Sequence, residues 1–200
     1  MRRSSVSLAF ALALAVPALA QAQSATPWTV RVRGIVIAPQ ASSKPKGLDV
    51  RSDATVEVDI SRSLNQYLAL EVIAATASQE VTAPASVAPT GSLGSVNHLP
   101  PTLLLQLHPV SQGSFRPYIG VGGNVTFFYE KSGGLQDLDL STSVGYALQG
   151  GFDVPLGGRG LFNVDAKYVN IETDVKSNGT KLFHLKINPL VIGAGFGYRF

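Results

Sequence analysis

Between Trp28 and Phe200, apolar side chains return at every second position in eight separate stretches, and no run of about 18 apolar residues interrupts them. A period of two puts those side chains on one face of a β-strand, whereas a helix would repeat them every three to four residues. Any crossing of a membrane by this part of the chain must therefore be made with strands.

The stretches can be read off directly. Trp28, Val30, Val32 and Val36 oppose Thr29, Arg31 and Arg33; Val56, Val58 and Ile60 oppose Glu57, Asp59 and Ser61. Leu68, Leu70, Val72 and Ala74 oppose a face with Glu71, and Leu99, Leu103, Leu105 and Leu107 oppose Thr102, Gln106 and His108. Phe115, Ile119, Val121, Val125, Phe127 and Tyr129 oppose Arg116, Gly120, Gly122, Asn124 and Thr126. Val144, Tyr146, Leu148, Phe152 and Val154 oppose Gly145, Ala147, Gln149, Gly151 and Asp153. Phe162, Val164, Ala166 and Tyr168 oppose Asn163, Asp165 and Lys167. The eighth stretch runs from near Lys181 to the aromatic ending Phe196, Tyr198, Phe200, and falters at Asn188–Pro189, where a bulge or change of facing is expected.

The links alternate between long and short. "PQASSKPKGLDVRSD", "SQEVTAPASVAPTGSLGS", "EKSGGLQDLDLS" and "TDVKSNGT" alternate with "SRSLNQ", "PVSQGS" and "PLGGRG", which leaves every longer link at one end of the strands. This predicts an all-β fold, an eight-stranded antiparallel transmembrane β-barrel with long external loops and tight periplasmic turns. A soluble sandwich or lipocalin-like barrel would show the same alternation. Three features favour the membrane. Stretches of about ten residues suit a tilted bilayer crossing. Aromatics such as Trp28, Tyr67, Phe115, Tyr129, Tyr168 and Tyr198 gather near strand ends, as interfacial girdles do. The polar face also balances Glu57, Asp59, Glu71, Asp153 and Asp165 against Arg31, Arg33, Arg116, Lys167 and Arg199, which could pair inside a narrow lumen.

The beginning of the chain agrees. Arg2 and Arg3 precede a mostly apolar run from Val6 to Leu19, and "ALA" at 18–20 or "AQA" at 20–22 offers a cleavage site. Residues 1–22 read as a secretory signal peptide cut after residue 20 or 22, and 23–200 as the barrel. Without the leader, 14 basic residues face 13 acidic ones, so charge indicates no nucleic-acid partner. There are no cysteines, hence no disulfide or thiolate site, and no motif calls for a cofactor or a metal. The expected location is the outer membrane of a Gram-negative cell, with its lipid as the first partner.

Several longer blocks, in order along the chain, carry a family resemblance: "HLPPTLLLQLHP" at 98–109, "FRPYIGVGGNVTFF" at 115–128, "ALQGGFDVPL" at 147–156, "FNVDAKYVNIET" at 162–173 and "GFGYRF" at 195–200. Together they resemble the outer membrane protein W family, which includes alkane-import outer membrane proteins. The resemblance implies a narrow apolar channel for small hydrophobic solutes, with sideways release through the wall as one route. It also implies that Phe196, Tyr198 and Phe200 form the signal read by the barrel-assembly machinery. Leu190 after Pro189, where some relatives carry tryptophan, and the short loop 130–140 depart from the pattern, so substrate preference is not inherited.

Pro100 and Pro101 lack N–H groups and must interrupt any strand ladder they enter. With Leu99 they are the candidate lateral exit; the alternative is that they only shape a loop above the membrane. Eight strands leave a lumen barely wide enough for side chains, which disfavours a water-filled porin. A catalytic role finds no nucleophile motif, and His98 and His108, if in one unbroken strand, would stand ~33 Å apart. Two function classes remain: passive passage of small hydrophobic molecules, or a structural or surface-interaction barrel without transport.

Overall fold

The computed structural model describes residues 27–200 apart from 41, 45–48, 51, 83–91, 131, 134–138 and 178–179, and in it the eight stretches form the staves of one closed antiparallel barrel. The proposed leader lies outside the described residues. The first stave is Trp28–Ala38, continued by Ser42–Lys44; the second is Asp49–Val50 and Asp53–Ser63. The third is Leu68–Ala75 with Ala77–Thr82, the fourth Ser92–Leu99 with Thr102–Leu107, and the fifth Arg116–Tyr129. The sixth is Asp139–Leu140 with Ser143–Gly157, the seventh Gly160–Val169 with Glu172–Ser177, and the eighth Thr180–Lys186 with Leu190–Arg199.

Each stave pairs with its sequence neighbours, and the first also pairs with the eighth, Val32 opposite Phe196, which closes the ring. Closure removes the free edges that would otherwise leave backbone groups unpaired in lipid. The end of the eighth stave is held on both sides: the Phe200 N–H donates to the Trp28 carbonyl at 3.0 Å, and the Arg199 N–H donates to the Arg159 carbonyl at 2.9 Å.

The oily parity faces outward. Val32, Val58, Val72, Leu103, Val121, Leu148 and Ile192 are all exposed, while the intervening Arg31, Asp59, Glu71, Gln106 and Gln149 are buried. This inverts the soluble pattern, in which a barrel hides its apolar parity, and is what lipid contact requires. Rings cluster near the turn end: Phe115 with Phe152 at 4.9 Å and Phe162 with Phe196 at 5.6 Å between centroids, with Arg62 stacked over Trp28. Tyr146 and Tyr168, 6.0 Å apart, mark the other boundary. Val121→Arg, near mid-height on the lipid side, should cost about 2–4 kcal/mol of folding stability, whereas Val110→Arg in a turn should cost under about 1. Urea unfolding in lipid vesicles measures both, and equal midpoints would contradict a lipid-facing position for Val121.

The staves rise further than the alternation indicates. Residues 78–82, 92–95, 173–177 and 180, assigned above to links, belong to strands: Ala77–Thr82 pairs with Ser92–Leu99, and Glu172–Ser177 with Thr180–Lys186. The second of these hairpins packs Val175 and Leu185 into a buried cluster with Ile171 and Ile187, on the parity opposite to the lipid-facing one below. The expected single strand through "LPPTLLLQLH" is in fact two segments, ending at Leu99 and resuming at Thr102.

Candidate functional site

The interior divides by height. At its middle, three cations are packed among carboxylates. Arg31 grips Asp153 through Nε (3.3 Å) and Nη2 (2.9 Å), and its Nη1 reaches Asp59 at 3.0 Å and the Ser61 hydroxyl at 3.1 Å. Arg33 contacts Asp165 at 2.7 Å, Asp59 at 2.6 Å and Glu57 at 2.9 Å, with Glu71 at 3.6 Å. Lys167 bridges Glu57 at 2.7 Å and Asp165 at 2.8 Å. The register places these groups together: Arg31 and Arg33 lie directly opposite Asp59 and Glu57 on the second stave.

Neutral groups complete the layer. Gln149 donates to Asp165 at 2.9 Å, Gln106 donates to Gln149 at 3.0 Å, and Asn163 donates to Asp153 at 2.8 Å and to the Tyr118 hydroxyl at 2.9 Å. The Tyr118 ring occupies the space beside Gly151, where an added Cβ would stand 2.6 Å from its hydroxyl. Arg33, Glu71, Gln106 and Asn163 are fully buried, so the layer is a plug across the lumen. Separating one such pair leaves a buried charge uncompensated, at about 3–5 kcal/mol.

Above the plug, towards the long loops, the interior turns apolar. Ile35, Ile37, Ile73, Val169, Ile171 and Val191 enclose a cavity of about 40 Å³ whose floor is Glu57 and Lys167. Pro100 and Pro189 also line it. None of the six aliphatic residues stood out in the sequence: Val169 and Ile171 continue the polar parity of Asp165 and Lys167, while around "GIVIA" at 34–38 and "LVIGA" at 190–194 both parities are apolar and the alternation vanishes. That loss was the available signal: where both faces of a strand are oily, the lumen is oily too.

The wall of this chamber is interrupted beside it. The third and fourth staves pair at Ile73–Thr102 and again at Ala77–His98, but residues 74–76 and 99–101 between them form no ladder. One register runs through the gap, so Thr76 stands opposite Leu99. On the other side the fourth and fifth staves keep one backbone bond across the gap, Val125 N–H to the Pro101 carbonyl at 3.1 Å. Pro100 turns to the chamber; Leu99 and Pro101 share the outward parity of Leu103 and Leu105. A milder break at Asn188–Pro189 is closed by its neighbours: Asn188, in a left-handed conformation, accepts the Ile171 N–H at 3.0 Å, and Val169 N–H donates to the Pro189 carbonyl.

Of the ten charged residues expected in the lumen, Arg31, Arg33, Glu57, Asp59, Glu71, Asp153, Asp165 and Lys167 form the plug. Arg116 and Arg199 stand apart at the turn end: Arg116 donates to the Gly113 carbonyl at 3.1 Å, and Arg199 lies 3.7 Å from Asp153. Phe196, Tyr198 and Phe200 are exposed on the outer face.

The histidines occupy three separate places. His98 is buried beside Phe128, and His108 meets Gln106 at 3.2 Å below the plug, with the proline break rather than an unbroken strand between them. His184 sits on the outer hairpin against Asp174 (2.6 Å) and Glu172 (3.1 Å). There, hydrogen bonds from Lys186 and His184 push the Glu172 carboxyl down to about 2, so this rim stays ionised.

The geometry has counterparts among known proteins. A family model described as the OmpW family matches residues 26–200. The uncharacterized outer-membrane protein y4mB of Sinorhizobium fredii is 37% identical over 186 residues, covering 88% of this chain and 80% of its own length. Outer membrane protein W of Vibrio cholerae is 32% identical over 166 residues, covering 76% of each. The crystal structure of outer membrane protein OprG from Pseudomonas aeruginosa superposes with a TM-score of 0.76 at 26% identity, over 88% of this chain and 96% of that one.

Proposed function

The chain belongs to the OmpW family and resides in the outer membrane of the Gram-negative envelope, and we propose that it gives small hydrophobic molecules passive passage, from the external apolar chamber out through the barrel wall into the lipid. One observation carries this reading. The chamber is closed beneath by the charged plug and interrupted at its side by Leu99, Pro100 and Pro101.

The two exits differ in cost. Downward passage would part several buried ion pairs, each charge left uncompensated costing about 3–5 kcal/mol. Sideways passage at 99–101 meets a wall whose ladder on the third-stave side is already unmade. An apolar solute also gains from the aliphatic lining, at about 0.8 kcal/mol per buried CH₂. A cavity of about 40 Å³ holds little more than one water, whose share of the liquid is about 30 Å³, so entry must widen the chamber. Pro100 belongs to both the chamber and the gap, which couples widening to opening.

On the same reading, Phe196, Tyr198 and Phe200 present the assembly signal to the barrel-assembly machinery. Uptake of a hydrophobic solute, compared between cells lacking the protein and complemented cells, tests the transport claim. Complementation should raise the uptake rate several-fold. Equal rates, with altered adhesion or envelope stress sensitivity, would assign the barrel a structural or surface-interaction role instead.

A further inference from the structure

A second cavity, at the opposite end of the barrel, plays no part in that passage. It has a volume of about 270 Å³ and opens between the turns at 64–67 and 108–115, on the periplasmic side if short turns face inward as in other outer-membrane barrels. Its lining is polar and its charge is lopsided. Arg31, Arg116 and Arg199 face a single carboxylate, Asp153.

That carboxylate is already engaged. Both of its oxygens are held by Arg31, at 3.3 and 2.9 Å, and Asn163 donates to it at 2.8 Å. Arg199 approaches it only to 3.7 Å. Arg116 is directly opposite Asp153 in the strand register, yet donates to the backbone carbonyl of Gly113 instead. Two guanidinium groups thus front one open space, and among the described lining residues no acid remains to neutralise them. The neutral neighbours suit the same ligand. Ser63, Ser111 and Gln112 offer hydroxyl and amide donors, and Asn65, whose Oδ1 accepts the Tyr67 and Leu68 N–H groups at 2.8 Å, keeps its amide N–H free of that turn.

We propose that this vestibule is an oxyanion-binding site, in which Arg116 and Arg199 clamp a phosphate or carboxylate group. The planar fork of arginine matches the paired oxygens of either group, and charge-assisted bonds of this kind are the strong ones. The volume equals that of roughly nine waters, at about 30 Å³ each, so a headgroup or a small organic anion fits as well as a bare ion. Binding at an open site held by two arginines should weaken as salt screens the charges. The site is independent of the apolar chamber and stands or falls apart from it.

The test is an NMR titration of the folded barrel in zwitterionic nanodiscs, in phosphate-free buffer, first with inorganic phosphate and then with dodecyl phosphate. Saturable shifts are expected at the amides of Asn65, Gln66, Ser111 and Gln112, and Arg116→Gln/Arg199→Gln should weaken binding at least ~10-fold. Arg116→Lys/Arg199→Lys should retain part of the affinity. Heat-modified migration on gels confirms that each variant is folded, and should the double glutamine variant not fold, Arg116→Gln alone must show the loss. Saturation by both probes indicates free anions as ligands, and saturation by dodecyl phosphate alone indicates a lipid headgroup. No saturation by either, unchanged affinity in the glutamine variants, or shifts confined to the long loops would overturn the proposal.

Discussion

Joining Thr76→Cys to Leu99→Cys by a disulfide should reduce uptake of a hydrophobic solute to the level of cells lacking the protein, and reduction should restore it. The two positions face each other across the unpaired stretch between the third and fourth staves, both on the outward parity. Directly opposed strand residues bring their Cβ atoms within about 4.5–5.5 Å, close enough for a bridge after slight adjustment. The protein has no cysteine of its own, so no other pairing competes. A bridge between Ala38→Cys and Leu190→Cys, partners in an intact ladder at a similar height, is the control and should leave uptake unchanged. Unchanged transport through the oxidised Thr76–Leu99 barrel would rule out this gap as the exit.

Arg33→Met should strongly destabilise the folded barrel. The guanidinium is fully buried and contacts Glu57, Asp59 and Asp165 within 2.9 Å, so its removal leaves Glu57 and Asp165 sharing Lys167 and Asp59 with Arg31 alone, one buried positive charge short. The expected loss is about 3–5 kcal/mol, a large share of the stability of a typical domain. Arg33→Lys should recover part of it, since a single ammonium cannot span carboxylates on opposite walls as a fork does. Urea unfolding in vesicles, read by heat-modified migration, measures both variants. A wild-type midpoint for Arg33→Met would mean that the plug contributes nothing to holding the barrel.

The barrel itself was legible because one face meets lipid: Val32 and Val58 alternate with Arg31, Arg33, Glu57 and Asp59, charges that cannot be placed there. The same alternation named the plug's charges but not their heights. Parity assigns a residue to a face, and only the stagger of eight staves decides that Arg33 joins Asp165 while Arg116 and Arg199 are left at the mouth. The chamber was missed for the converse reason. Ile35, Ile73 and Val191 point inward among equally apolar outward neighbours, so no pattern distinguishes them. The hairpin of Ala77–Thr82 and Ser92–Leu99 is rich in Ser, Gly and Thr, which leaves little side-chain period to detect, and in the other Ile171 and Val175 reverse the parity of Tyr168.

Photolabelling places a solute most directly. A short alkyl diazirine, activated in nanodiscs holding the folded protein, should leave its adducts on Ile73, Val191, Pro100 and Leu99, tracing a path from chamber to lipid. Adducts on Ala69, inside the barrel below the charged layer, would mean that apolar molecules cross the plug along the barrel axis, and the sideways route would be wrong.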